Sequence, residues 1–457
     1  MYVRNDVTRD SRVRKEARSL AAAGNHLTVI GSNLPGETKL SREDVDGYTI
    51  IRVPIVQGTA WWATWLRAPW KLVALGLRSA GRNLLRGPRG WLRAVAVLVV
   101  VLVSAPWIVL RAGWYGVVNK GLGRPLGFGG VLLIRRWRAE ILPWDRAAVA
   151  AAPTADVHHA HDMEALPAAH AGARRDGGRY VYDSHEIFME WGAVLDAPSW
   201  ARWAFAQFER RLVAGAEALV TINASIADYL TRRLRPRRVV VVHNCPQRWT
   251  PPTVPENRIR RTLGLGDDVS IVLCHGGFLP NRGLEQTAEA MTLPGLERAH
   301  LVFIGYRVKI VEPILDRADL RGRVHYLEPV PPDEVPAWVA GADVDVMTLL
   351  PTDLNNRLST PNKLFESIAA GTPVVSSDFE ERRRIIMDNP GGPLGAVCDP
   401  TSPEAIAAAI RSILDLSTPD REALRERCLA AARDRWNWEA EVSGLLALYA
   451  GFEAPAS

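Results

Sequence analysis

With 457 residues, 47% hydrophobic and 23% charged, the chain can bury a large core and is too long for one ordinary domain, so two are expected. Its four cysteines, Cys245, Cys274, Cys398 and Cys428, lie far apart without C-x-x-C or metal-ligand spacing, which excludes a disulfide or metal framework and reads as reduced, buried thiols of a cytosolic protein. The formal charge of +6 hides an asymmetry: between Ala60 and Trp144, 13 Lys or Arg stand against one acid, Glu140, a local +12 that leaves −6 elsewhere, and nine of the 16 Trp fall there too.

Arg4, Asp6, Arg9 and Asp10 interrupt the opening residues, so no secretory signal is expected there, and Met1 to Asn5 leaves room for only a stub of a strand. Val13 to Leu20 reads as an amphipathic helix ended by Gly24, Leu27 to Ile30 as a strand, and Tyr48 to Val53 as another after an Asp46-Gly47 turn. Ala94 to Leu110 then runs 17 residues without a charge between Arg93 and Arg111, short of the roughly 20 that a spanning helix needs. Strands on either side of it should share one sheet, and an odd number of crossings would split that sheet across the bilayer. Trp61 to Leu77, with Arg67 and Lys71, is a poor second span. An in-plane or re-entrant insertion is therefore favoured, with Trp at the interface and Arg on anionic headgroups. A buried helical hairpin or oligomer contact is the competing reading. Nucleic acid is disfavoured, because an uncharged run is not how a phosphate-binding groove is built.

From Ala155 an α/β pattern returns. Asp156 to His159 is a strand running into Ala160-His161-Asp162, and Tyr180 to Asp183 is a strand running into Ser184-His185-Glu186. Doubly wound sheets bind ligands just past the carboxyl ends of their strands, which singles out His185 and, more weakly, His161 with Asp162 on an acceptor side. For His158 and His159 packing is the preferred role. A helix at Phe205 to Gly215 and strands at Ala218 to Thr221 and Val239 to Val242 follow, and four prolines between Pro246 and Pro255 mark a linker.

The second half opens with a strand at Ser270 to Cys274 and the loop H-G-G-F-L-P-N-R-G-L-E. There Gly276 and Gly277 allow close approach of backbone to a ligand, and Arg282 can neutralise a pyrophosphate. Strands at Leu301 to Gly305, Val324 to Leu327 and Ala342 to Leu349 come next. Asp343 and Asp345 form a D-x-D, but they alternate with valines on a strand and read as structural. In LSTPNKLFESIAAGTPVVS, Thr360 is the expected N-cap, Pro361 the first helical residue and Gly371 the stop, before a buried strand at Val374 to Ser376. Lys363 and Glu366 share one helix face; they form either a solvated pair or a site in which an ammonium and a helix N-terminus meet phosphate while a carboxylate accepts sugar hydroxyls. Helices at Glu404 to Leu414 and Arg421 to Arg433 and the stretch Trp436 to Tyr449 close the chain.

The pattern P-N-K-x-x-E-x-x-A-x-G-x-P-V-V resembles the donor segment of family 4 glycosyltransferases, whose GT-B fold faces two Rossmann-like domains across a cleft. V-Y-D-S-H-E, V-V-V-V-H-N, the H-G-G loop and the Trp436 to Tyr449 tail resemble further segments of that family, over nearly the whole chain except roughly 59–145. The resemblance implies Lys363 at the donor pyrophosphate, Glu366 on the nucleotide ribose and His185 facing the donor sugar. Gly276, Gly277, Arg282, Thr360, Pro361 and Asn362 would complete the donor site, with no metal and no cofactor. Two positions depart from the pattern: Leu358 stands where the family has a sugar-binding Glu, with Asp353, Asn355 and Asn356 nearby as substitutes, and Gly277 replaces a phosphate-binding Arg, leaving Arg282 in place of the family's Lys.

The implied layout is an N-terminal domain over 1–246 with the hydrophobic helical insertion at about 59–145, a nucleotide-sugar domain over 247–432, and a tail helix over 433–457 that crosses back. The expected protein is a retaining hexosyl- or N-acetylhexosaminyl-transferase on the inner face of the cell membrane. It would take a nucleoside diphosphate sugar and serve a lipid-linked or glycan acceptor in polysaccharide or glycolipid assembly. The alternatives are a non-catalytic nucleotide-sugar-binding scaffold and a GT-B sugar-nucleotide epimerase.

Overall fold

β-Branched runs followed by helices build parallel strands here, because each crossover helix covers one face of the sheet and leaves the strand buried on both sides. The computed structural model describes residues 1–8, 10–33, 41–55, 95, 133–134, 137–190, 192–195, 197–252, 256–306 and 308–453. The expected membrane-associating run at 94–110, but for residue 95, and the Trp61 to Leu77 stretch lie outside the described residues. No helix among the described residues is long and apolar enough to cross a membrane.

The N-terminal lobe contains β1 (Thr28–Asn33), β2 (Arg42–Val45), β3 (Tyr48–Pro54), β4 (Val157–His161), β5 (Arg179–Ser184), β6 (Ala218–Thr221) and β7 (Val239–Val241). They pair as β1-β3-β2 and β4-β5-β6-β7. Tyr2 joins the two sets by parallel bridges to Ile30 and Ala160. Its N–H donates to His159 O at 2.7 Å, and His161 N–H donates back to Tyr2 O at 2.9 Å. The stub of strand anticipated at Met1 to Asn5 therefore lies at the centre of the sheet.

The C-terminal lobe contains β8 (Ser270–Gly277), β9 (Ala299–Tyr306), β10 (Val324–Leu327), β11 (Val344–Met347), β12 (Val374–Ser377) and β13 (Gly395–Cys398), all parallel, in the order β10-β9-β8-β11-β12-β13. The winding direction reverses between β8 and β11, and at such a switch point the carboxyl ends of the strands open a crevice.

Two features of the insertion differ from expectation. Trp144, on the helix Leu142–Ala151, is completely buried. Trp137 meets the rings of Phe188, Phe205 and Phe208 at 5.6, 5.2 and 6.5 Å in edge-on contacts. These two indoles belong to the core of the N-terminal lobe, because the helices that carry them pack onto its sheet.

The tail returns to that lobe as the helices Trp438–Glu441 and Ser443–Glu453, burying Trp438, Leu445, Leu448 and Tyr449 against Val13, Ala17, Leu20 and Val29. Trp438 Nε1 donates to Ser19 Oγ at 2.9 Å. Trp438→Ala opens a large cavity in this cluster and is expected to cost about 3–5 kcal/mol, read as a lower denaturant midpoint of the N-terminal lobe. Ser19→Ala, which removes only the hydrogen-bond partner, is expected to cost about 1–3 kcal/mol.

Candidate active site

The lobes face each other across a cleft of about 1020 Å³ at the β8–β11 switch point. His185 lines it from one side, and Gly276, Gly277, Arg282, Thr360, Pro361, Asn362, Lys363 and Glu366 line it from the other. Residues more than 180 positions apart in sequence are thereby brought to one hollow, because His185, Gly276, Gly277 and Arg282 lie at or past the carboxyl ends of strands and Thr360 to Glu366 form the approach and first turns of the helix Asn362–Ala370.

On the C-terminal wall, Gly276, next to last in β8, has φ +99°, a backbone that side-chain-bearing residues rarely adopt. The helix Asn362–Ala370 begins one residue later than expected. Pro361 occupies the N-cap and Gly371, at φ +74°, the C-cap. Thr360 does not cap the helix. Its Oγ1 instead accepts from Asn223 Nδ2 at 3.3 Å, a contact with the other lobe that outcompetes the cap.

Arg282 and Lys363 both titrate below their ordinary values. Burial is the main cause, and for Lys363 the charges of Arg282 and Arg382 add to it, partly offset by Asp345. Two cations that push on each other in a half-open crevice form a site for an anion.

Arg382 is a cation the sequence reading missed. It is fully buried, with Nη2 donating to Asn356 O at 2.7 Å and Nε to Ser359 O at 3.3 Å. It has no carboxylate partner among the described residues, and burial followed by the Arg282 charge brings it down to about 9. Glu381, beside it in sequence, pairs with Arg384 and Ser225 instead, so only the fold sets Arg382 apart from its neighbours.

Leu358, where the resemblance lacks a Glu, packs onto the apolar cluster of the N-terminal lobe. The three substitutes are tied up within the protein. Asp353 caps Leu354–Leu358 by accepting from Asn356 N at 2.7 Å, Asn355 Oδ1 accepts from Ile187 N at 2.9 Å, and Asn356 Nδ2 donates to Thr352 Oγ1 at 2.9 Å. Glu186, which the sequence reading passed over, faces the cleft instead. Burial and then the Asp162 charge push its carboxyl up to about 7.

On the N-terminal wall, His185 Nε2 meets Asp183 Oδ2 at 3.1 Å and Nδ1 lies 3.3 Å from Asp162 Oδ2, so both ring nitrogens are engaged. Burial opposes its charge, but Asp162 and then Asp183 outweigh burial and push it up to about 10. Asp162, at φ +62°, reaches His185 twice, also accepting from its backbone N–H at 3.0 Å. His161 is buried beneath His185, at 3.3 Å from both His185 Nε2 and Asp183 Oδ2, and does not line the cleft. The residues expected on an acceptor side thus sit behind and beside His185.

Deeper still, Glu16, His159, His161 and Asp183 converge as a set of metal-ligand types. Arg12 already supplies positive charge there, its Nε lying 2.9 Å from Asp183 and 3.0 Å from Glu16. Asp343, of the D-x-D, accepts from Arg260 Nη2 at 2.9 Å and Ile271 N at 2.7 Å, a structural role. Its companion Asp345 is bound by Ser367 Oγ at 2.6 Å and neighbours His275.

A model of the glycosyl transferases group 1 matches residues 269–416, and a model of the glycosyl transferase 4-like domain matches residues 123–245. Two facing doubly wound lobes that match this pair of models make the protein a glycosyltransferase of the GT-B class. A phosphatidyl-myo-inositol mannosyltransferase from Mycobacterium leprae is 34% identical over 89 residues, 19% of this chain and 22% of that protein's length. A glycosyltransferase from Rickettsia africae has the same fold at a TM-score of 0.64 and 11% identity, over 100% of this chain and 98% of that one. HepE from Anabaena in complex with UDP has a TM-score of 0.56 at 16% identity, over 68% of this chain and 82% of that one. Both matched models and the mannosyltransferase agree with the resemblance to family 4.

The engaged imidazole has a pH signature. His185 carries a proton to about pH 10 in the folded state, against roughly 6.5 in an unfolded chain, so its stabilising contribution is complete below about pH 6.5 and is lost as pH rises through about 10. Denaturant midpoints are expected to fall more steeply across that window in the wild type than in Asp162→Asn, which lowers the folded-state value and flattens the difference.

Proposed function

We propose that the chain transfers a sugar, with retention of configuration, from a nucleoside diphosphate sugar to a lipid-linked or otherwise membrane-proximal acceptor in polysaccharide or glycolipid assembly. The observation that carries this reading is the meeting of Arg282, Lys363 and Glu366 in one cleft, opposite His185. When the bond to the sugar breaks, negative charge develops on the departing diphosphate. Arg282, Lys363 and the free N–H groups of the Asn362–Ala370 helix offset that charge without reorganising. Glu366 accepts ribose hydroxyls, and the charged His185 ring borders the sugar from the other lobe. The residues of the cleft do this charge work themselves, with no metal required. Bringing the lobes together expels water and limits hydrolysis of the donor.

The UDP-bound neighbour supports a nucleotide-sugar donor, and the relative named as a lipid mannosyltransferase supports a hexose and a lipid acceptor. The basic, Trp-rich stretch from Ala60 to Lys120 supports attachment to the inner face of the membrane, with Arg on anionic headgroups.

The test is incubation of the purified protein with radiolabelled UDP- and GDP-sugars and a membrane lipid extract. Labelled lipid is expected, and Lys363→Ala is expected to lower its formation roughly 10²–10³-fold, the scale of losing one preorganised charge-stabilising donor. An unchanged rate in Lys363→Ala removes the proposed site. For the membrane, deletion of Arg86 to Lys120 is expected to release the protein from anionic liposomes in a sedimentation assay, and unchanged co-sedimentation overturns that part.

A further inference from the structure

His275 is the last side chain of β8 before Gly276, and it is buried against the helix that carries Lys363 and Glu366. Its Nε2 meets Glu366 Oε2 at 3.0 Å. Its Nδ1 lies 3.2 Å from Asp345 Oδ2, on the neighbouring strand β11. Asp345 is held in turn by Ser367 Oγ at 2.6 Å, one residue beyond Glu366. A chain of contacts therefore runs from the centre of the sheet to the Glu366 carboxylate on the donor wall, and each ring nitrogen of His275 faces a carboxylate.

A neutral imidazole has one N–H and satisfies only one such neighbour; the doubly protonated ring satisfies both. The charged groups that face it are Asp345 from β11 and Glu366 from the helix, and Lys363 of that helix interacts with the same Asp345. Burial opposes the ring's charge, but Asp345 and then Glu366 lift it to about 9.

We propose that His275 is a positioning residue for donor recognition. Held as a cation between Asp345 and Glu366, it fixes one oxygen of the Glu366 carboxylate and leaves Oε1 presented to the ribose hydroxyls of a nucleoside diphosphate. This rests on the reading of Glu366 as the ribose contact. It deepens that reading by making ribose discrimination depend on a side chain that does not itself touch the nucleotide. Freely rotating, Glu366 would turn toward Lys363, three residues back on the same helix face.

Two measurements on the full chain decide it. The first is calorimetric titration with UDP and GDP and with their 2′- and 3′-deoxy counterparts. The wild type is expected to prefer the ribose forms by roughly tenfold or more, the value of a hydrogen bond to a charged acceptor. His275→Leu is expected to reduce that preference to within about threefold while leaving the affinity for the deoxy forms within about twofold; His275→Gln, which keeps one N–H toward Glu366, is expected to restore part of it. If Glu366→Ala keeps the preference, the ribose reading itself fails. If Glu366→Ala removes the preference and His275→Leu retains it, the reading stands and the role of His275 is overturned.

The second measurement needs neither a ligand nor a His275 variant that folds. In ¹⁵N-histidine spectra, both ring nitrogens of His275 are expected to carry protons at pH 7.5, and Glu366→Gln is expected to bring their titration down toward the ordinary histidine range. A single-proton tautomer in the wild type at that pH overturns the proposal.

Discussion

Burying the Arg12 guanidinium obliges three parts of the N-terminal lobe to meet at one point. Nε and Nη2 of Arg12 reach the two oxygens of Asp183 at 2.9 Å each, and Nη1 reaches Val242 O at 2.6 Å. Helix Ser11–Ala22, the end of β5 and the end of β7 are thus joined through one planar group. A buried charge left alone is costly, and removing one partner of such a pair typically costs about 3–5 kcal/mol. The geometry around Asp183 is correspondingly constrained. His185 leans on the same carboxylate, so what fixes the lobe also fixes the ring at the mouth of the cleft.

Across the cleft, the C-terminal lobe reaches an equivalent result by topology. The reversal between β8 and β11 leaves an opening that neither crossover covers. Into it project the end of β8 with His275 and the helix with Lys363 and Glu366. Each wall holds a histidine between two carboxylates, Asp162 and Asp183 on one side and Asp345 and Glu366 on the other. Arg282 and Lys363, which form no ion pair within 4 Å among the described residues, both lie on the C-terminal wall. The asymmetry orients an anionic ligand before any shape complementarity acts.

What the sequence disclosed was local. Pro361, Gly371 and the β-branched Val374-Val375 delimit a helix and a strand by their own conformational preferences, and the structure has both, displaced by a single residue at the helix start. His185, Arg282 and Lys363 were visible because they follow strand-like or cap-like signals. What stayed hidden depends on partners remote in the chain. His275 matters only because Asp345 and Glu366 come to it from 70 and 91 positions away. Arg382 reads as one of three consecutive arginines in an ordinary helix until its neighbours turn out to be backbone carbonyls rather than acids. Trp137 and Trp144 carried the same compositional signature as the indoles before them, and periodicity alone does not separate a tryptophan facing lipid from one facing a protein core.

The polypeptide passes between the lobes near Pro246 and again near Trp438, and the two passages are laced together: Trp438 N donates to Pro246 O at 2.8 Å, and His243 N donates to Glu441 Oε2 at 2.9 Å. Two straps bound side by side resist torsion far more than flexion. A swing of the lobes about that double strap would also have to stretch the hydrogen bonds from Ile187 N to Asn355 Oδ1 and from Asn223 Nδ2 to Thr360 Oγ1, so opening and closing are coupled to the loop that precedes Lys363.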